Sequence, residues 1–280
     1  MKTLLTSVGM FAVMALTATS LHSQWPNYPS KNVPTNADGE PDLEGAVPRT
    51  YWGTVDFSGI WENQRRGGPP NDGDEAEDNA PDDGIPNATF FNIGSGFEDE
   101  VPPFTPWAAA LRDERMADNQ KDNPDAHCLP MGHMQFHLHP QPRRIVQTED
   151  MMVMIYEGNA GIREIFLDGR PSPDNDPQPW WYGYSRGEWD GDTLVVTTTH
   201  LRDEGWLDVN GSPVTTDGVI TERFTRTDYG HIEIVVTVED AKAYTEPFTV
   251  KVNHQIMLDT ALIEFICIEN EKSVQYYDQD

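Results

Sequence analysis

Basic residues are scarce in this chain of 280 residues. It carries 19 Lys and Arg against 47 Asp and Glu, which gives a formal net charge of −28 at pH 7. Binding to nucleic acid or to an anionic lipid surface depends on cationic side chains that neutralise phosphates. The charge balance therefore excludes nucleic acid and a membrane surface as partners. A net charge of this size suits a protein whose molecules repel one another in solution, such as an interaction module in salty surroundings.

Three familiar catalytic motifs are missing as well. The sequence contains no Gly-Lys-Ser phosphate loop, no glycine fingerprint for a dinucleotide and no Gly-x-Ser-x-Gly elbow around a serine nucleophile. We therefore expect neither a nucleotide-dependent mechanism nor a serine hydrolase, and we predict no cofactor.

Long apolar runs are absent except near the N-terminus. Residues 4–16 are uncharged and largely apolar, they follow Met1-Lys2-Thr3, and small residues come after them. A basic start, a short hydrophobic stretch and small residues are typical of a secretory signal. A membrane anchor is the alternative, but the run is shorter than the ~20 residues that span a bilayer. We predict a signal peptide over residues 1–23, with cleavage near Ser20 or Ser23, and a periplasmic or secreted mature protein.

The chain has only two cysteines, Cys128 and Cys267. In an oxidising compartment a disulfide is the first expectation for such a pair. The alternative is a catalytic thiol beside one of the histidines. A bond between positions this far apart closes a long loop, which contributes ~3–5 kcal/mol in the loop-entropy model.

The mature chain is expected to form one domain, because 37% of its residues are hydrophobic and its length suits a single core. Residues 24–49 have no apolar period and predict an extended N-terminus, and residues 50–280 predict a β-barrel domain. An acidic loop over residues 66–86 interrupts it. The carboxylates available there as calcium ligands are Asp72, Asp74 and Asp78. The loop lacks the spacing of an EF-hand, so a solvated loop is the alternative.

One helix and a long series of strands are predicted. Thr105 and Pro106 form a helix start, and the helix is expected to end near Asn119 or Asp122. From Arg144 onward, apolar runs alternate with turn signals such as Asp-Gly. The predicted strands cover residues 51–61, 152–156, 162–167, 182–189, 193–199, 219–227, 231–238, 248–256 and 262–268. We predict a mainly β fold, an antiparallel up-and-down barrel, since closure removes exposed sheet edges.

Two resemblances accompany this pattern. Gly59-Ile60-Trp61 resembles the Gly-x-Trp opening of calycin and lipocalin barrels, where the Trp plugs the closed end. Residues 55–272 also resemble a large group of exported, mostly uncharacterised bacterial proteins, which implies a shared calycin-like fold and no particular reaction. The segments that carry the second resemblance include residues 106–108, 128–130, 145–147, 156–157, 165–170, 187–196, 206–208, 221–224, 243–245 and 264–267.

A histidine cluster is the first candidate site. His127, His133, His137 and His139 fall within thirteen positions, interleaved with Met131 and Met134. On a strand, His137 and His139 share one face, so one further ligand from this cluster, such as His133, completes a three-ligand metal site. The methionines suit copper. An acid–base role and plain loop composition are the alternatives, and we predict no metal.

Strand alternation indicates a second set of residues. Glu222 shares a face with Ile220 and Phe224, Glu264 lies between Leu262 and Ile266, and His200 follows the inward face of its strand. A carboxylate among apolar side chains has a raised pKa, which suits a general acid. The alternative is an internal ion pair, for example between Glu222 and Arg163.

Aromatic residues are dense between positions 180 and 206. Large rings can line a pocket for an apolar or planar molecule, and filling of the core is the alternative. The residues assigned to ligand binding are Trp181, Tyr184, Trp206, Asp208, His200 and Glu264.

These patterns predict an exported monomer or homodimer that accommodates a small, partly apolar or aromatic molecule. As an enzyme it would be a cofactor-free isomerase, cyclase, hydratase or lyase. Glu222 is the predicted acid or base, His137 or His139 its partner, and Tyr156 or Arg163 the group that stabilises negative charge. A non-catalytic binding protein and a metal-dependent enzyme are the alternatives.

Overall fold

Nine β-strands close into a barrel in the computed structural model, which describes residues 30–64, 83–173, 178–269 and 272. The strands are β1 Gly59–Asn63, β2 Arg143–Gln147, β3 Met151–Tyr156, β4 Ile162–Phe166, β5 Tyr184–Asp190, β6 Thr193–Thr199, β7 Val219–Arg226, β8 His231–Glu239 and β9 Phe248–Met257. Each strand pairs with its neighbours in chain order, and β1 pairs with β9. The mainly β barrel is confirmed. The predicted signal peptide and the candidate calcium ligands of the acidic loop lie outside the described residues.

The prediction of a wholly antiparallel barrel is wrong at one seam. β4 and β5 run parallel and share two residue pairs, Ile165 with Ser185 and Phe166 with Arg186. A closed ring with an odd number of strands cannot alternate in direction all the way round. The chain meets this condition between β4 and β5, the two neighbouring strands that run in the same direction. This seam is the least paired of the barrel's strand contacts.

The described residues between β1 and β2 form two α-helices. The predicted helix is α1, Pro106–Ala117, and the Thr105 side chain accepts a hydrogen bond from the backbone N–H of Ala108 at its start. A second, four-residue helix, α2 Gln135–Leu138, was not predicted. Short 3-10 turns occupy Glu98–Glu100, Pro124–His127 and Gly158–Ala160. In the described part of the chain, no helix is long and apolar enough to cross a bilayer.

Both ends of the predicted strand series need correction. The first strand covers only Gly59–Asn63, and residues 262–268 form no strand. Because β1 pairs with β9, the barrel is already closed and offers no edge to a tenth strand. The segment runs outside the barrel with Ile263 and Ile268 exposed. The predicted disulfide between Cys128 and Cys267 is confirmed and attaches this segment to the rest of the domain.

The inward faces of the strands form one filled core. Trp61 is fully buried, its indole N–H donates to the carbonyl of Phe57 at 3.0 Å, and the guanidinium of Arg226 lies 4.9 Å from its ring. Residues 131–138, which contain α2, are buried throughout. Phe136 of this segment packs against Tyr156 at 4.5 Å between ring centroids. The segment therefore brings its side chains into the barrel interior, where the candidate site lies.

Candidate functional site

Glu222 lies at the centre of a buried ionic cluster. Alternation along β7 turns it inward together with Ile220 and Phe224, and all three side chains have 0% exposure. Arg163 of β4 meets it from across the barrel. Its Nη1 donates to Oε1 of Glu222 at 3.0 Å, and its Nη2 donates to Oε2. This two-point contact is the internal ion pair that the sequence left as an alternative.

Polar side chains on two neighbouring strands hold Arg163 in place. Its Nε donates to the Ser185 hydroxyl of β5 at 3.1 Å, and its Nη2 donates to the Thr198 hydroxyl of β6 at 3.0 Å. The two hydroxyls are themselves 2.9 Å apart. The guanidinium is thus bonded along its whole edge, which a buried charge requires.

The ion pair sets the protonation state of Glu222. Burial raises the pKa of its carboxyl group, but the charge of Arg163, the neighbouring His133 and the hydrogen bond from His137 lower it by a larger amount, so the pKa lies well below 4.5. Glu222 is therefore ionised at neutral pH. The pKa of Glu222 is lowered and not raised, because the guanidinium of Arg163, the alternative partner in the sequence analysis, compensates for burial.

His137 is the second partner of Glu222. It lies in α2, and its Nε2 is 2.5 Å from Oε1 of Glu222. Burial lowers the pKa of His137 to about 4, partly offset by Glu222, so the imidazole is neutral at pH 7. Beside an ionised carboxylate, Nε2 must carry the proton. The bare Nδ1 is buried and has no hydrogen-bond partner among the described residues.

His133 stands one helical turn before His137 and faces the other carboxylate oxygen. Its Nε2 is 3.3 Å from Oε2 of Glu222, and its Nδ1 is 3.3 Å from the carbonyl oxygen of Tyr182. Nδ1 is within hydrogen-bond distance of a carbonyl that can only accept, and Nε2 has no hydrogen-bond partner among the described residues, so the single proton of the neutral ring is assigned to Nδ1. Burial and the charge of Arg163 lower the pKa of His133. The ligand atoms of His133, His137 and Glu222 all lie within 4.8 Å of one another.

The predicted pairing of His137 with His139 on a strand is wrong. α2 ends at Leu138, so the two side chains diverge. His139 is half-buried outside the cluster, 3.9 Å from Asp125 and edge-on to Phe90. Burial lowers its pKa. The remaining members of the histidine cluster are also placed elsewhere, with His127 bonded to the carbonyl of Lys121 and both Met131 and Met134 in the core.

Arg143 was missed by the sequence argument. It is fully buried, and its Nη1 donates to the carbonyl of His137 at 2.8 Å and contacts Nε2 of His254 at 2.6 Å. Its Nη2 donates to the carbonyls of His139 and Gln141. Burial lowers its pKa to about 10. These bonds fix the end of α2 and so position His137. The alternation of inward residues along β2 was the signal that pointed to Arg143.

Tyr156 lies beside the cluster without bonding to Glu222. Its hydroxyl contacts the sulfur of Met154 at 3.3 Å. Burial raises the pKa of Tyr156 well above its ordinary value, so the phenol stays protonated. It can act as a hydrogen-bond donor.

The aromatic residues separate into two groups. Trp181 and Tyr184 line a cleft of about 250 Å³ at the β4–β5 seam, together with Arg163 and Tyr182. Trp206, predicted at a rim, is only 2% exposed, and the guanidinium of Arg115 covers its ring at 4.6 Å. Its edge joins the wall of a larger surface cleft of about 600 Å³ beside α1.

The other predicted ligand-binding residues lie away from the cluster. Asp208 is buried and accepts hydrogen bonds from Ile93 N–H and from the N–H and hydroxyl of Ser212, so it holds two loops together. Burial raises its pKa. His200 follows the end of β6 with a φ of 56°, which turns it off the inward face. Glu264 is exposed, because its predicted strand does not form.

The side chains expected around a hollow, His133, His137, Arg163 and Glu222, are all buried. Clefts of about 250, 240 and 600 Å³ are lined by described residues, and Glu222 is in the wall of none of these. Fold and cluster together define a class, a closed β-barrel with a buried His-Glu-Arg centre. No family model, curated protein or solved structure matches this chain.

Proposed function

We propose that this protein binds a small, partly apolar or aromatic molecule next to the buried cluster and performs cofactor-free acid–base chemistry on it. The observation that carries the proposal is the state of His137. Its imidazole is neutral, its Nε2 is bonded to the ionised Glu222, and its Nδ1 is buried with no partner in the described chain. A bare imidazole nitrogen backed by a carboxylate is the arrangement of a general base.

Each member of the cluster has a distinct part in this proposal. Nδ1 of His137 takes a proton from the bound molecule, and Glu222 stabilises the imidazolium that results. Arg163 keeps Glu222 ionised and oriented. An imidazolium with a pKa of about 4 returns its proton readily, so His137 acts as the acid in the second half of the reaction. Isomerisation, cyclisation, hydration and elimination all need a proton to be removed from the reacting molecule and a proton to be returned in a later step.

The β4–β5 seam supports access to this site. It has two residue pairs, whereas β7 and β8 share eight. The barrel therefore opens with least loss of hydrogen bonds at this seam, and Arg163 lies in the wall of the cleft there. The ligand is expected to enter from this side.

The test follows proton exchange rather than a known substrate. The protein is incubated in D₂O with small aromatic ketones, beginning with acetophenone, and loss of the methyl proton signal is followed by NMR. We expect exchange faster than in buffer, and about 100-fold slower exchange after His137→Gln, because Gln can bond to Glu222 but cannot carry the proton. Exchange by H137Q at the wild-type rate would remove His137 from the mechanism.

A matched control is available outside the barrel interior. His231 is also bonded to a carboxylate, with Nδ1 2.7 Å from Asp228, but it is partly exposed. His231→Gln is expected to leave exchange unchanged. If one of the ketones binds but none exchanges its protons, the protein is a non-catalytic binding protein, which is the alternative given in the sequence analysis.

A metal-dependent enzyme is the second candidate. His133, His137 and Glu222 form a two-His, one-carboxylate donor set that suits zinc or iron. The bond from His133 Nδ1 to the carbonyl of Tyr182 is the usual second contact of a metal-bound imidazole. It ranks second because Arg163 holds both oxygens of Glu222, so a metal ion must displace a guanidinium contact.

Elemental analysis decides between the two candidates. Protein purified without chelator or affinity tag should contain close to one metal ion per chain if the donor set binds metal, and His133→Ala should lose it. A metal content well below one ion per chain would rule out the metal-dependent enzyme.

The proposed setting is the periplasm or the cell exterior, with the protein as a monomer or homodimer of calycin-like ancestry. The disulfide between Cys128 and Cys267 supports the oxidising compartment. Detection of residue 24 or a nearby residue as the mature N-terminus, by mass spectrometry of the secreted fraction, tests the export.

A further inference from the structure

The cleft at the β4–β5 seam has an unusual wall. It is lined on one side by Ile162, Glu164 and Phe166 of β4 and on the other by residues 180–184. Pairing with β5 begins only at Ile165, so the first residues of β4 face a gap in the sheet among the described residues. The cleft therefore exists because the strands part there, and its volume of about 250 Å³ suits a small molecule.

Aromatic rings dominate this wall. Tyr184 lies 5.1 Å from Phe166 and 5.6 Å from Trp180 between ring centroids, so the three rings form a continuous surface. Trp180 is 40% exposed, so part of its ring is open to solvent beside Tyr184. Such a surface favours a flat ring that can stack or meet it edge-on.

Tyr182, which lines the cleft, also carries a polar group. The Tyr182 hydroxyl is buried and has no hydrogen-bond partner among the described residues. Burial raises the pKa of Tyr182, so it remains a proton donor. The hydroxyl lies beside Gly161, directly ahead of Ile162, where an added Cβ would come within 2.4 Å of it. A buried donor without an acceptor calls for one from a ligand or a water.

Tyr182 also connects the cleft with the cluster. Its carbonyl accepts the Nδ1 proton of His133, and its ring packs against Phe136 at 5.3 Å between centroids. A molecule held in the cleft thus touches the residue that orients His133.

We propose that this cleft is the recognition site for a planar aromatic molecule bearing a carbonyl oxygen. The rings of Trp180 and Tyr184 hold the flat part beside Phe166, whose ring is covered by the Arg170 guanidinium at 4.0 Å, and the Tyr182 hydroxyl donates to the carbonyl. The inference rests on the proposed ligand-binding function and is independent of its acid–base chemistry.

The experiment compares two ketones of the same size. Acetophenone is planar, and cyclohexyl methyl ketone carries the same acetyl group on a saturated ring. Binding is followed through the indole N–H signals of Trp180 and Trp181 in ¹H–¹⁵N NMR spectra, assigned with Trp180→Phe and Trp181→Phe. We expect saturable shifts of at least one of these signals and about two- to tenfold tighter binding of acetophenone, from the usual range of ring–ring contacts.

Two strand variants locate the site. Ile162→Arg places a long side chain across the cleft mouth, and Val146→Arg makes the same change on the outer face of β2. Both native side chains are exposed, at 62% and 43%, so both variants should fold. We expect I162R to weaken acetophenone binding at least about tenfold and V146R to leave it unchanged. Tyr182→Phe should weaken acetophenone about fivefold.

Each other result overturns the inference in a different way. Equal effects of I162R and V146R would move the ligand out of this cleft and leave ligand binding intact. Equal affinity for the two ketones would remove the preference for planarity. If the indole N–H signals do not shift up to the solubility limit of acetophenone, the site is refuted. The comparison of proton exchange between the wild type and H137Q would then test the proposed function separately.

Discussion

Replacing Glu222 by Gln is expected to destabilise this barrel far more than removing a charge from the next residue of the same strand. The change leaves the guanidinium of Arg163 buried without its counter-charge, and it places an amide NH₂ group against donors from Arg163 and His137. Removing one partner of a buried ion pair costs about 3–5 kcal/mol. For a domain of this size that is a fall in Tm of about 6–20 °C.

Arg223 supplies the matched control for this prediction. It follows Glu222 on β7 but points outward, where it is bonded to Asp190 at 2.8 Å with both side chains largely exposed. Arg223→Gln is expected to cost about 0–1 kcal/mol. Urea unfolding followed by Trp fluorescence compares the two variants at pH 7.

A double variant separates the charge from the packing. Arg163→Met combined with Glu222→Leu removes both charges while keeping apolar volume, and it should be more stable than either single variant. A loss below about 1 kcal/mol in E222Q, equal to that of R223Q, would refute the argument that the pair is buried and mutually dependent.

The remaining predictions concern acid, the disulfide and the loops. Stability should fall by about 3 kcal/mol through His137 as the pH drops from 6.5 to 4, because its folded pKa is lowered to about 4 and the unfolded chain binds the proton first. Urea midpoints measured across this range check it, and an unchanged pH slope in H137Q would contradict it. Replacing both cysteines by Ser should cost about 3–5 kcal/mol, since 139 residues separate them. Equal calorimetric stability of the wild type and the double variant would count against that. Asp208→Asn should lose about 1–3 kcal/mol without changing acetophenone affinity, because the partners of its oxygens among the described residues are loop groups. Weaker binding at unchanged stability would restore Asp208 as a ligand contact.

Local patterns predicted most of the barrel. The strands β6, β7 and β8 begin and end within one residue of the predicted bounds, since β-branched runs between turn signals are decisive there. Alternation also placed Glu222 on the inward face correctly. These features depend on residues near each other in the chain.

Features that depend on distant segments were not predictable in the same way. The parallel pairing of β4 and β5 follows from closing an odd number of strands, which no local pattern reports. Residues 262–268 have a strand pattern, but they form no strand because the closed barrel leaves no free sheet edge for them to pair with. His137 lies in a helix of four residues that is held by Arg143 from β2, a contact that only the folded barrel creates.

The partners within the cluster were partly accessible from the sequence. Arg163 was named as a possible bridge to Glu222, and the structure places its Nη1 3.0 Å from Oε1. His133 and His137 face the same carboxylate because they are four residues apart, a helical spacing, whereas the strand assumption paired His137 with His139. A helix assumption for residues 133–138 would have selected the correct pair.

The central claim is that His137 is a neutral imidazole bonded through Nε2–H to an ionised Glu222. ¹⁵N NMR of histidine-labelled protein, with H137Q to assign the signal, measures the tautomer and the titration directly. The account predicts a protonated Nε2, a bare Nδ1 and no titration of His137 between pH 8 and 5, as its pKa is about 4. An imidazolium at pH 7, or a proton on Nδ1 with Nε2 bare, would contradict it.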